Sequence, residues 1–163
     1  MSVRFALVAG LFTACACLSS SHAQVITHRD VGVRMGLAIA EAALTECEKI
    51  GNSVSVAVVD RAGRLRVFLQ ADKANPHNIE LARRKAYTAR TFSRTTAEWA
   101  KRTTDMPELA AQRQLTDVIA LRGGVPIKVG DETIGAVGVS GASSEGDEKC
   151  AMAGIAKVAD QLR

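Results

Sequence analysis

The sequence predicts an α+β fold: an antiparallel sheet made of two hairpins, with helices packed on it. Two β-branched strand pairs, each closed by turn chemistry, flank a helical middle, and one further helix stands at either end. The resulting order is helix, hairpin, helices, hairpin, helix. That order lacks the regular strand and helix alternation of a doubly wound sheet.

Residues 1–23 read as a secretory signal peptide. Arg4 supplies a positive start, Phe5 to Leu18 form an apolar and small-residue run, and Ser21-His22-Ala23 places small residues where a signal peptidase inspects them. A run of about 14 residues is shorter than the roughly 20 a membrane-spanning helix needs, so the chain is not expected to span a membrane. Lipid modification at Cys15 or Cys17 is the minor alternative. The protein is therefore expected to be exported, to the periplasm or the extracellular space. Residues 24–163 are expected to form a single domain of about 140 residues, enough for one core.

Loss of the leader removes Arg4 and lowers the formal net charge from +4 to +3. The basic residues lack the interleaved aromatics of a nucleic-acid surface, so no nucleic-acid role is indicated. Of four cysteines, Cys47 and Cys150 remain. They are either a disulfide, which export permits, or two small buried hydrophobes. Their placement in two helical segments able to pack side by side favours the disulfide.

Thr27 with Asp30 predicts a capping box, followed by a helix whose stripe is Val33, Leu37, Ala40, Leu44 and Cys47, ending at Gly51. Ser53 to Val59, the turn Asp60-Arg61-Ala62-Gly63 and the alternation Leu65, Val67, Leu69 form the first hairpin, with one face in the core. Asn75-Pro76 starts a helix with the stripe Ile79, Ala82, Ala86, Ala89. Thr95 and Glu98 cap a short helix anchored by Trp99, and Pro107 opens another containing Leu109 and Leu115. The second hairpin runs from Val125 to Ser140 about Gly130-Asp131-Glu132, with Pro126 marking a strand edge or start. Ser144 with Asp147 then caps the last helix, whose apolar face is Ala151, Ile155, Val158 and Leu162.

Several chemistries lack their patterns. Cys47, Cys150, His28 and His77 show no zinc-ligand spacing, and the chain carries neither a G-x-S-x-G elbow, nor G-x-G-x-x-G at a strand-to-helix turn, nor a P-loop. What stands out is the basic stretch from His77 to Phe92. It is either a solvated helix face or an anion-binding edge, where His77, Lys85 and Thr88 meet a carboxylate. The Gly138-to-Gly146 loop leads into a helix N-terminus whose free N–H groups offer a further anion site, or simply a glycine-rich connection.

Three stretches taken in order, Val56 to Gly63, Arg83 to Ala89, and Gly123 to Ile127 with Ile134 to Gly141, resemble the GlcG/HbpS family of heme-binding proteins. The similarity runs from about Val31 to the C-terminus and includes Asp147-Glu148 before an alanine-rich helix. It implies a profilin-like domain that forms homo-oligomers. Exported members are heme-binding or heme-degrading proteins, one group of which partners a membrane sensor kinase, whereas cytosolic members accompany glycolate or diol metabolism. Export thus points to a protein that sequesters, senses or presents heme, with a membrane sensor or transporter as a further partner. The alternative is an enzyme or carrier acting on a small carboxylic acid such as a glycolate-type hydroxy acid.

Heme requires an apolar slot, an iron ligand, and cations or amides for its propionates. His77 is the first candidate for the iron and His28 the second, with Tyr87 and Thr88 as weaker oxygen donors. Arg83, Arg84, Lys85 and Arg90 are the candidate propionate cations.

Overall fold

The computed structural model describes residues 24–163; the expected signal peptide, with Cys15 and Cys17, lies outside the described residues. Four helices, α1 (Val33–Lys49), α2 (Asn78–Phe92), α3 (Thr96–Asp105) and α4 (Ser144–Ala156), accompany four strands, β1 (Ser55–Val59), β2 (Leu65–Gln70), β3 (Gly124–Val129) and β4 (Glu132–Ser140). The sheet is antiparallel throughout, in the order β2-β1-β4-β3. The two predicted hairpins are present, joined edge to edge by β1 and β4.

That junction corrects one expectation. A strand in the middle of a sheet has neighbours on both faces, so β1 is buried on both and not on one. Val54, Val56 and Val58 enter the core shared with α1 and α4, whereas Ala57 and Val59 enter a second cluster beneath α2. The sheet is thus the middle of three layers. β2, at the edge, carries the half-exposed alternation, and Leu65 is 49% exposed. β3 holds the other edge, where Pro126 costs no ladder hydrogen bond.

α2 lies unusually close to the sheet. A Cβ on Gly138 would stand 2.2 Å from the Ala82 carbonyl oxygen, and one on Gly124 would stand 2.2 Å from that of Lys85. Ala82, Ala86 and Ala89 are fully buried at this contact, as their spacing predicts, but Ile79 falls off the stripe and is 45% exposed. On the opposite face Gly154 brings α4 against α1 at Ile39 and Ala43, and Cys47 and Cys150 are disulfide-bonded with Cα atoms 5.6 Å apart.

The buried face of α1 is Gly36, Ile39, Ala40, Ala43 and Cys47, while Val33 is 59% exposed. Asp30 does not cap this helix with Thr27. Gly32 occupies the N-cap without a side-chain bond, and the Asp30 carboxylate accepts from Val31 N and Arg61 N, both at 2.8 Å. The Thr95 and Glu98 box before α3 forms with both reciprocal bonds, and Trp99 stacks on Phe92 at 4.7 Å between centroids. Thr95→Ala is expected to cost about 1 kcal/mol, read as a lower urea midpoint at unchanged slope. Pro107–Gln114 is a 3₁₀ helix and not an α-helix; none of its residues is buried, so no packed face holds an α-helical repeat. α4 is capped by Ser143 and not Ser144: the Ser143 hydroxyl accepts from Gly146 N at 3.1 Å.

Candidate functional site

The N-terminal ends of α2 and α4 meet above the end of β4, around a cleft of about 250 Å³. Asn75, His77, Asn78 and Leu81 enter from the start of α2, and Ser140 to Ala142, Ser144 and Asp147 from the β4–α4 connection. Lys85, one turn further along α2, closes the floor. Its side chain is 4% exposed, and its ammonium donates to Asp147 Oδ2 at 2.7 Å and to Val139 O at 2.9 Å.

This buried ion pair is the electrostatic centre of the cleft. The other Asp147 oxygen accepts from Ala142 N at 2.9 Å, so the carboxylate ties α4, the loop before it and α2 together. Burial pushes the Asp147 carboxyl above the usual carboxylate range, against the opposing pull of Lys85 and the Ala142 and Gly141 amides. Asn78 also contributes to the floor: its Oδ1 accepts from Ser140 Oγ at 3.3 Å, while its buried Nδ2 has no protein acceptor.

The eight candidate site residues do not gather in one place. His77 and Lys85 share the cleft, His77 exposed at its mouth and Lys85 at its floor. Thr88 and Arg84 instead hold the segment before β3. The Thr88 hydroxyl is fully buried and accepts from Ile119 N at 2.9 Å, and Arg84 Nη2 donates to Val118 O at 2.6 Å. Tyr87 lies over Gly63 in a shallow depression with Arg61 and Arg90. His28 stands before α1, not in its first turn, beside Asp30, Arg61 and Arg64. Much of the basic face is engaged within the chain: Arg83 with Asp117 and Glu80, and Arg90 Nε with the Arg61 carbonyl.

Asn78, Ser140 and Asp147 were not singled out as site residues by sequence reasoning. Asp147 reads from sequence as a helix cap and as part of the family resemblance, and no local pattern links it to Lys85, 62 positions away. Its true role follows from the cap belonging to Ser143, which leaves the Asp147 carboxylate free to turn inward.

The family model described as haem-degrading protein HbpS-like matches residues 34–156, which include every residue of this cleft. The chain belongs to the HbpS-like family. GlcG of Escherichia coli (strain K12) is 34% identical over 107 residues, spanning 66% of this chain and 78% of that protein. The crystal structure of a double mutant of Streptomyces reticuli HbpS shares 33% identity at a TM-score of 0.78, covering 88% of this chain and 97% of that one. The crystal structure of a PduOC:heme complex shares 25% identity at a TM-score of 0.70, covering 78% and 94%. The α+β fold read from the hairpin order is thus the fold of these HbpS-like structures. Among the described residues, no helix is long and apolar enough to cross a membrane.

Proposed function

We propose that this protein is an exported heme-binding protein that works as a homo-oligomer, sequestering heme or presenting it to a membrane sensor or transporter. The observation that carries it is the likeness to the PduOC:heme complex over 94% of that chain, within a family described by its haem chemistry. The disulfide between Cys47 and Cys150 supports the export, because such bonds persist in oxidising compartments.

His77 fits the role of iron ligand best. It is exposed at the mouth of the cleft, with the partly exposed Leu81 and Leu121 as apolar rim. Thr88 fits poorly, since its hydroxyl is buried and already accepts from Ile119 N. A cleft of about 250 Å³ lies below the roughly 300–1,000 Å³ of pockets that enclose whole ligands. The cleft would therefore hold no more than part of the heme group, with His77, Leu81 and Leu121 at its mouth to hold the rest. Heme would supply the redox-active iron, and the chain would supply the imidazole, the rim and polar groups for the propionates.

Titration of hemin into residues 24–163 is expected to give a shifted Soret band, and His77→Ala to change its position and weaken binding at least about tenfold. A free-hemin spectrum at stoichiometric protein would overturn the function; an unchanged spectrum in His77→Ala would overturn the ligand and direct the search to His28.

A further inference from the structure

We propose that the floor of the cleft between α2 and α4 is a carboxylate-binding subsite, formed by Asn78, Lys85 and the first N–H groups of α4. As far as the carboxylate is a heme propionate, this rests on the heme-binding function proposed above.

The floor holds more donors than the chain uses. Asn78 is 2% exposed, and its Nδ2 has no protein acceptor. Leaving a buried amide donor unpaired costs about 1–3 kcal/mol, so an acceptor arriving there is favoured. Lys85 carries three N–H donors and spends two, on Val139 O and Asp147 Oδ2. The third belongs to an ammonium that lines the same cleft.

The helix terminus adds the remaining donors. α4 runs for 13 residues, and its cap satisfies only Gly146 N, leaving the N–H groups of Ser144 and Glu145 without intrahelical acceptors. Its dipole favours negative charge at this end. Asp147 does not fill the role, because its carboxylate is turned inward and matched by Lys85 and Ala142 N. Asn78, Lys85 and Ser144, at the start of α4, all line this cleft of about 250 Å³, a space sized for a carboxylate with a short chain and not for a macrocycle. Two sources have this chemistry, a heme propionate or a free small hydroxy acid.

Two variants remove the subsite without removing the fold. Asn78→Asp keeps the shape and the acceptor for Ser140 Oγ but places a negative charge at the floor. Ser144→Pro deletes one N–H at the first helical position, where proline is tolerated, and Ser143 already has the extended backbone a following proline requires (φ −64°, ψ 159°). The test titrates the 24–163 chain with hemin, with hemin dimethyl ester, and with glycolate against glycolamide, following amide chemical shifts and the Soret band.

The expected result is that hemin binds about tenfold or more tighter than its diester, and that either variant reduces this preference to about threefold or less. Glycolate binding that glycolamide lacks and Asn78→Asp abolishes, without hemin binding, identifies the free acid as the ligand; the subsite then stands and the heme function falls. Hemin binding as tightly as its diester, with no glycolate shifts at Asn78 or Ser144, overturns the subsite and leaves the heme function in place. Retention of wild-type carboxylate affinity in both variants likewise overturns it.

Discussion

Asp147→Ala is expected to destabilise the protein by about 3–5 kcal/mol, the cost of leaving a buried charge without its partner. Lys85 would keep one hydrogen bond, to Val139 O, at a side-chain exposure of 4%. The loss reaches three elements, because Asp147 joins α4 to α2 through Lys85 and to the preceding loop through Ala142 N. Against a total stability of about 5–15 kcal/mol this is a large fraction. Urea unfolding at neutral pH measures it. A change below about 1 kcal/mol would mean that the ammonium reaches water and that the pair is not a buried one.

The reciprocal variant, Lys85→Met, adds a pH dependence with a definite sign. Burial raises the Asp147 carboxyl above its unfolded value of 3.8. Between the unfolded and folded values the native state binds more protons than the unfolded chain, so this group's contribution to stability falls as pH rises through that window. Lys85 is what opposes the shift, so its removal raises the folded value further and extends the window upward. The deficit of Lys85→Met relative to wild type is therefore expected to be smallest near about pH 4 and largest near about pH 7. A deficit that is constant over this range would assign the Lys85 contribution to packing of its alkyl chain.

What the sequence disclosed and what it concealed divide along the range of the interactions involved. The α3 cap is legible because its reciprocal bonds join residues three apart, Thr95 and Glu98. The hairpins are legible because β-branched runs and turn residues are local, although the union of β1 with β4, and hence burial of both faces of β1, is not. The stripe predicted for α1 holds at Ala40 and Cys47, with Leu44 packed against the core, but fails at Val33 for another reason. Counting large side chains favours Val33 and Leu37, but the close approach of α4 at Gly154 and of Val67 at Gly36 brings Gly36, Ile39 and Ala43 onto the buried face instead. Long-range pairing also explains the site. Asp30 abandons a local cap for Arg61 N, Asp147 abandons one for Lys85, and Arg84 and Thr88, which read as an anion-binding edge, are spent on Val118 and Ile119. His77 and Lys85 were legible as neighbours because one helix carries both; Asn78 gave no signal, since its importance lies in an acceptor it lacks.

Replacement of Cys47 and Cys150 together by Ala is expected to lower stability by about 4–5 kcal/mol, comparable to loss of the buried ion pair but by a different route. The bond closes a loop across a sequence separation of 103, so in the chain-entropy view its main effect is to restrict the unfolded state. Both sulfurs are fully buried where α1 meets α4. A reductant added to the native protein should therefore act slowly and only through unfolding, while the same reductant in urea should lower the midpoint at once. The variant's own packing cost is small, since each Ala loses one sulfur atom, and Cys150→Ala alone measures the part that comes from packing and a freed thiol. A double-variant loss below about 1 kcal/mol would show that the two residues act only as small hydrophobes. A loss of the expected size makes the stability of the whole three-layer fold depend on an oxidising compartment. That is the physical content of the proposed export: folded without the bond, the chain would keep its sheet and its cleft but with a margin that Lys85 and Asp147 alone could exhaust.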